Sequence, residues 1–354
     1  MVSLDIVRQN NAALVKRQSL VAVFIGGTAG IGEFGALGLA KTHGSEGKGL
    51  RVYIVERNKA AAERIIASCI QLCPHGQLIF VAAETLALLK DVDRVCTNIS
   101  ARERDEAARS GQEPRIDFLV MTQGVLNLKR KEGLDETMSL FYYSRMRCII
   151  QLLPLLLQSP LPARVVSVWN PNPECDFDTD DMSCRKPGNL GFRRASSQLS
   201  NMTTFFMEQL ANRHPGKLAL IHLYPGYVIT NFGQTAFPAW FNLLFRHLVV
   251  PIIRLTIAVS AEETGDRITF LASDRFPTRG TTQEQHNKTD SGVGVAVAAD
   301  GRLGGGMYRV SQYGETIHPS SYNKGLRERR VSDAIWEHTT DAFEAVASGQ
   351  EFRG

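Results

Sequence analysis

The chain has 354 residues, 44% of them hydrophobic and 21% charged, with a formal net charge of +4; this is ordinary globular composition with enough sequence for a full core. The charge is mildly basic and no Lys/Arg block stands out, so a nucleic-acid partner is not expected. Six cysteines are too few for a disulfide framework, and Cys69 and Cys73 have no second ligand pair at zinc-site spacing, so no metal is expected.

The opening MVSLDIVRQNNAALVKRQ has no apolar centre fit for a signal peptide, and the expectation is a cytoplasmic protein. LVAVFI (20–25) is a continuous apolar run, the pattern of a strand buried on both faces. Four glycines follow within 26–32, and then EFGALGLAKTHG carries helical spacing and stops at Gly44, a C-cap residue. RVYIV (51–55) reads as strand and NKAAAERIIASCI as helix with Asn58 as N-cap. QLIFVAA (77–83) and DFLVMT (117–122) are strands, and MSLFYYSRMRCIIQLLPLLL is a long helix. ARVVSVW (163–169) is strand, SSQLSNMTTFFMEQLANRH helix, and LALIHLY (218–224) strand. The alternation predicts a parallel sheet covered on both faces by helices.

Residues 231–259 contain AWFNLLFRHLVVPIIRLTIAV, strongly apolar but broken by Arg246, His247, Pro251 and Arg254. That interruption excludes a membrane span and marks a lid over an apolar ligand, with weak contact to a membrane surface as the lesser alternative. SAEETGDRITFLAS opens on a capping box, Ser260 to Glu263. Residues 276–304 read as a flexible insertion, GMYRV (306–310) as a last strand, and ERRVSDAIWEHTTDAFEAV as a closing amphipathic helix. The whole chain, 1–354, is expected to form one domain.

Strand, glycines, helix is an arrangement that binds phosphate: the helix start offers unpaired N–H groups and a partial positive charge. The spacing here is Gly26-x-x-x-Gly30-x-Gly32, which is neither Gly-x-Gly-x-x-Gly nor a P-loop. At these residues the chain resembles the short-chain dehydrogenases/reductases, whose first turn reads Thr-Gly-x-x-x-Gly-x-Gly; Ile25 stands at the threonine and all three glycines match. The resemblance runs over nearly the whole chain. VYIVERN (52–58) falls on the second strand and turn, MTQG (121–124) on the family's Asn-Asn-Ala-Gly, and YPGYVIT (224–230) on its Pro-Gly-x-Val-x-Thr. VSLDIVRQNNA and YYSRMR…LLPLL resemble a fungal branch of secondary-metabolite pathways.

The resemblance implies a Rossmann-type doubly wound parallel sheet of about seven strands and a nicotinamide dinucleotide. It places Gly26, Thr28, Gly30, Ile31 and Gly32 at the diphosphate, Arg57 and Asn58 at the adenine ribose, and Glu84 near the adenine. Gln123 and Gly124 follow the fourth strand, Arg194 holds ribose hydroxyls, and Pro225, Gly226, Val228 and Thr230 border the nicotinamide. Glu56 would accept both ribose hydroxyls, whereas Arg57 would bind a 2′-phosphate; with Lys59 beyond, two cations against one anion favour NADP(H) over NAD(H).

The family's chemistry uses a tyrosine as proton donor, a lysine four residues later, a serine after the fifth strand and an asparagine in the preceding helix. Here Trp169 and Asn170 stand where the family has Ser-Ser, with Asn170 at the reactive serine. The best registration puts Leu190 at the tyrosine and Arg194 at the lysine; a one-residue shift gives Gly191 and Ala195. None of the eight tyrosines has lysine at +4, and Phe141 falls near the asparagine. Asn170 and Arg194 are therefore the catalytic candidates. The acidic stretch PECDFDTDDMS (173–183) is a surface loop or a substrate contact. The expected activity is an NADP(H)-dependent oxidoreductase of non-standard mechanism acting on a small hydrophobic intermediate. The alternatives are a cyclase or isomerase that only orients its substrate, and a catalytically silent dinucleotide-binding protein. The family pairs through the helices containing 139–156 and 195–213, so a homodimer is also an expectation.

Overall fold

The computed structural model describes residues 1–124, 130–131, 134–172, 177–186, 189, 191–230, 258–280 and 292–354. Its centre is a seven-stranded sheet of β1 (Leu20–Ile25), β2 (Leu50–Glu56), β3 (Gln77–Ala82), β4 (Phe118–Met121), β5 (Ala163–Val168), β6 (Leu218–Leu223) and β7 (Met307–Val310). The order is β7-β6-β5-β4-β1-β2-β3 and every pairing is parallel. This is the Rossmann-type arrangement expected from the sequence. Chain order reverses between β1 and β4, and such a switch point opens a crevice at the carboxyl ends of the strands.

The apolar runs are continuous because both faces are covered. Along β1, Val21, Val23 and Ile25 enter one core and Leu20, Ala22 and Phe24 the other. The second core is roofed by α1 (Leu4–Arg17), α2 (Gly30–His43), α3 (Lys59–Leu72) and α7 (Ala261–Phe270). The first is roofed by α4 (Leu89–Arg109), α5 (Ser144–Leu156), α6 (Phe192–Arg213), α8 (Ser321–Glu328) and α9 (Val331–Ala347). Local signals set the ends: Gly44 caps α2 at φ 52°, Asn58 Oδ1 accepts from Ala61 N at 3.1 Å, and Ser260 Oγ accepts from Glu263 N at 3.1 Å. Glu263 does not close the box, for it bonds Arg267 at 2.7 Å instead. Helix α2 meets α7 backbone to backbone: a Cβ on Gly38 would lie 2.5 Å from the Gly265 carbonyl carbon.

The long helix expected from 138 onward is not uniform. Ser139–Tyr143 forms a π-helical turn ahead of α5, and such single turns change which way the following side chains face. Tyr142 and Tyr143 turn away from the strand ends toward α9: Tyr142 Oη lies 2.6 Å from Thr339 Oγ1 and Tyr143 Oη 2.7 Å from His338 Nε2. Trp336 of α9 stacks on Phe206 of α6 with centroids 4.7 Å apart, and Arg147 of α5 lies 5.1 Å over Phe343.

The apolar segment 231–257 and residues 281–291 lie outside the described residues, and with them most of the expected lid and part of the expected insertion. The described flanks of 276–304 are packed, with Phe276, Ala296, Ala298 and Ala299 buried. No helix among the described residues is long and apolar enough to cross a membrane.

Helix α9 packs against α6 and against Tyr142 and Arg147 around the start of α5, the helices on which a homodimer is an expectation of the resemblance. In sedimentation at micromolar concentration the protein is expected to behave as a 39.1 kDa monomer; a species of twice that mass would show that this helix leaves a pairing face open.

Candidate functional site

A cavity of about 720 Å³ opens at the carboxyl ends of the strands, at the β1/β4 reversal. That volume suits a cofactor or a sizeable ligand. One wall is the turn from β1 into α2. Gly26 adopts φ 80° and Gly30 φ 57°, which side chains disfavour. Ala29, the N-cap of α2, has no side chain able to cap the helix, so the first-turn N–H groups have no capping partner at the cavity edge. The fit is tight: a Cβ on Gly32 would lie 2.4 Å from Gly26 O and one on Gly30 2.7 Å from Thr230 Cγ2. This cradle fits a dinucleotide diphosphate, which needs close backbone approach and free N–H donors.

Eleven of the residues singled out in the sequence line this cavity: Gly26, Gly30, Ile31, Arg57, Gln123, Gly124, Asn170, Pro225, Gly226, Val228 and Thr230. Five do not. Thr28 is buried behind the turn and Gly32 sits within α2. Asn58 is occupied as the N-cap of α3. Glu84 is 81% exposed and pairs with Arg94 at 3.3 Å. Beside it, Asp91 Oδ2 accepts from Glu84 N at 2.9 Å and Thr85 N at 2.5 Å, and this turn presents Thr85 and Leu86, not Glu84, to the cavity. Arg194 is exposed in the first turn of α6 and donates to Asn189 Oδ1. Leu190 lies outside the described residues.

At the end of β2, Glu56 and Arg57 both face the cavity, with Arg57 Nε 3.8 Å from Glu56 Oε1. The glutamate is already engaged, since Oε1 accepts from Arg57 N at 2.8 Å. The Arg57 side chain is 73% exposed and can swing onto an anion at the rim. Asn170 Oδ1 accepts from Asn172 N at 3.0 Å, which leaves its NH₂ as the group to offer a ligand.

Beside Asn170 on the wall two rings pack on each other, Phe141 and Trp169, with centroids 4.1 Å apart. Gly124 makes room for them: a Cβ there would lie 2.3 Å from Phe141 Cε1. Two buried polar atoms on the wall lack a partner in the protein, Trp169 Nε1 and Gln123 Oε1. Such groups are costly to leave unmet. Tyr224, which the sequence reading passed over, also lines the cavity; burial raises its pKa, with Tyr227 adding to the shift. Of the acidic stretch, the described Asp178, Asp180 and Asp181 do not line the cavity. Asp181 is instead a loop anchor, accepting from Arg185 N, Lys186 N and Asn189 Nδ2.

No family model matches the chain. It is 36% identical to the short-chain dehydrogenase/reductase SAT2 of Stachybotrys chartarum, over 98% of each chain. It is 33% identical to the oxidoreductase AN1596 of Emericella nidulans, over 96% of this chain and 97% of that one. Among solved structures, the promiscuous reductase LugOII aligns with a TM-score of 0.51 at 20% identity, over 72% of this chain and 91% of that one, and so shares the fold.

Replacing Gly32 by alanine should lower the unfolding free energy by roughly 2 kcal/mol, because the new methyl meets Gly26 O and Thr122 Oγ1. An unchanged urea midpoint would mean the turn has slack.

Proposed function

The chain belongs to the short-chain dehydrogenase/reductase family, and on that premise we propose that it is an NADP(H)-dependent oxidoreductase that works without the family's phenolic proton donor. The observation that carries this reading is one continuous cavity. It joins the glycine turn and Arg57 at one end to Asn170, Trp169 and the Pro225–Thr230 loop at the other. In this reading the N–H groups at Gly30 and Ile31 bind the diphosphate, and Arg57 binds the 2′-phosphate. Thr85 and Leu86 bound the adenine side. Pro225, Gly226, Val228 and Thr230 seat the nicotinamide, which supplies a hydride when bound in reduced form.

What the chain's own residues can do at the other end is limited. Asn170 donates a hydrogen bond to a substrate oxygen but does not give up a proton. Trp169 Nε1–H can do the same. Tyr224 is the tyrosine at the wall among the described residues, yet burial moves its pKa up, away from the range where a general acid works well. The acceptor is therefore a carbon already electron-poor, and its proton comes from water. The apolar wall of Leu140, Phe141, Val168 and Trp169 favours a bulky hydrophobic substrate. A cyclase or isomerase would need the walls but not the cradle, so the retained turn favours the redox reading.

Calorimetric titration with NADPH and NADH tests it. The protein should bind NADPH in preference to NADH, and Arg57→Ala should weaken NADPH by roughly tenfold, about 1.4 kcal/mol, with little effect on NADH. An equal loss for both coenzymes would remove Arg57 from the 2′-phosphate, and no binding of either would overturn the reading.

A further inference from the structure

Arg145 has no exposed surface, yet it is an arginine on the helix that runs beneath the cavity. Its guanidinium is held entirely by neutral acceptors. Nη2 donates to Gln123 O at 2.5 Å, Nη1 to Val168 O at 2.8 Å and Ser167 Oγ at 3.0 Å, and Nε to Leu140 O at 3.2 Å. Its carbon lies 5.3 Å over the Phe141 ring. Among the described residues no carboxylate pairs with it. Buried arginines are ordinarily paired with a carboxylate; this one carries its charge uncompensated.

The place of that charge is specific. Gln123 and Val168 both line the cavity, so the guanidinium sits one peptide group below its floor, at the ends of β4 and β5. Arg194, the residue at the family's lysine position, is exposed and turned to Asn189. Burial pushes Arg145 down to about 9, so it stays protonated at neutral pH. Its field reaches the next strand: His222 is lowered to about 3, first by burial and then by the Arg145 charge.

We propose that Arg145 is the cation of this site, a positioning residue whose buried charge sets the balance between reduced and oxidised dinucleotide. The inference rests on the NADP(H) reading above. The oxidised ring is a cation and the reduced ring is neutral, while the diphosphate and 2′-phosphate are the same in both. A fixed positive charge under the ring therefore weakens the oxidised form selectively, and a poorly screened interior makes the effect on the order of tenfold. The same carbonyl bonds hold Gln123–Gly124 and Val168–Trp169 in place, so loss of the guanidinium also loosens the floor. The charge and the scaffold roles need different tests.

The test is calorimetric titration of the wild type, Arg145→Lys, Arg145→Met and Ser167→Asp with NADPH and with NADP+. The wild type should hold NADPH about tenfold or more tightly than NADP+. Arg145→Met should bring that ratio close to one, and Arg145→Lys should keep it, because the charge remains. Ser167→Asp sets a carboxylate beside Nη1 without removing the guanidinium; it should also collapse the ratio, and it decides the matter if Arg145→Met does not fold. A wild-type ratio near one overturns the inference. So does a ratio that persists in Arg145→Met or Ser167→Asp, even if both affinities fall together, since that is the mark of a scaffold role alone. Failure of the wild type to bind either form would instead sink the NADP(H) reading itself, and this inference with it.

Discussion

Thr122, the residue after β4, ties the β1–α2 turn to the neighbouring strand. Its hydroxyl forks between Ile25 O and Gly26 O, at 3.1 Å each, and its own N–H donates to Ile25 O at 2.9 Å. Gly32 then packs so closely on Gly26 O that no side chain fits between them. This contact fixes where α2 starts, and therefore where its uncapped N–H groups point. The cavity, the reach of Arg57 from the end of β2 and the depth of the floor at β4 and β5 all follow from that placement. A helix start displaced by one residue would aim the same amides along a different direction.

The opposite end of the cavity follows a different physical logic. Two stacked rings stand there, with a buried guanidinium beneath them. The rings suit an apolar molecule, and the guanidinium needs no exposed partner because backbone carbonyls from two strands and the π-helical turn surround it. Without that turn, Arg145 and Tyr142 would face other directions, since one added residue rotates everything after it. The local irregularity in the helix and the buried guanidinium are one feature, not two.

The fold was legible where the signals are local. LVAVFI reads as a doubly buried strand and is one, and Gly44, Asn58 and Ser260 act at the helix ends where their chemistry puts them. Helix α1 and helix α4 were not foreseen; α4 is polar on most of its surface and buries a narrow stripe of Val92, Val95, Cys96 and Ile99. The glycine turn is legible as strand, glycines and helix, Arg57 and the 225–230 loop come from the resemblance, and the fold brings all three to the strand ends. The resemblance implies Glu84, and the structure presents Thr85 and Leu86 instead, because a sequence does not show which side of a turn faces inward. Tyr224 stands just ahead of the Pro-Gly-x-Val-x-Thr spacing, which gives it no role of its own, and only the structure puts it on the wall. Arg145 belongs to no spaced motif, and only the convergence of three separate segments on its guanidinium reveals it as part of the interior.

The most direct test of the account is a crystal structure of the protein with NADPH. The account predicts the diphosphate on the N–H groups at the start of α2, and the nicotinamide between the Pro225–Thr230 loop and the Trp169 side of the cavity, with no tyrosine or serine hydroxyl within hydrogen-bonding reach of a substrate oxygen placed at C4. A diphosphate bound away from the glycine turn, or a hydroxyl poised at that position, would contradict it.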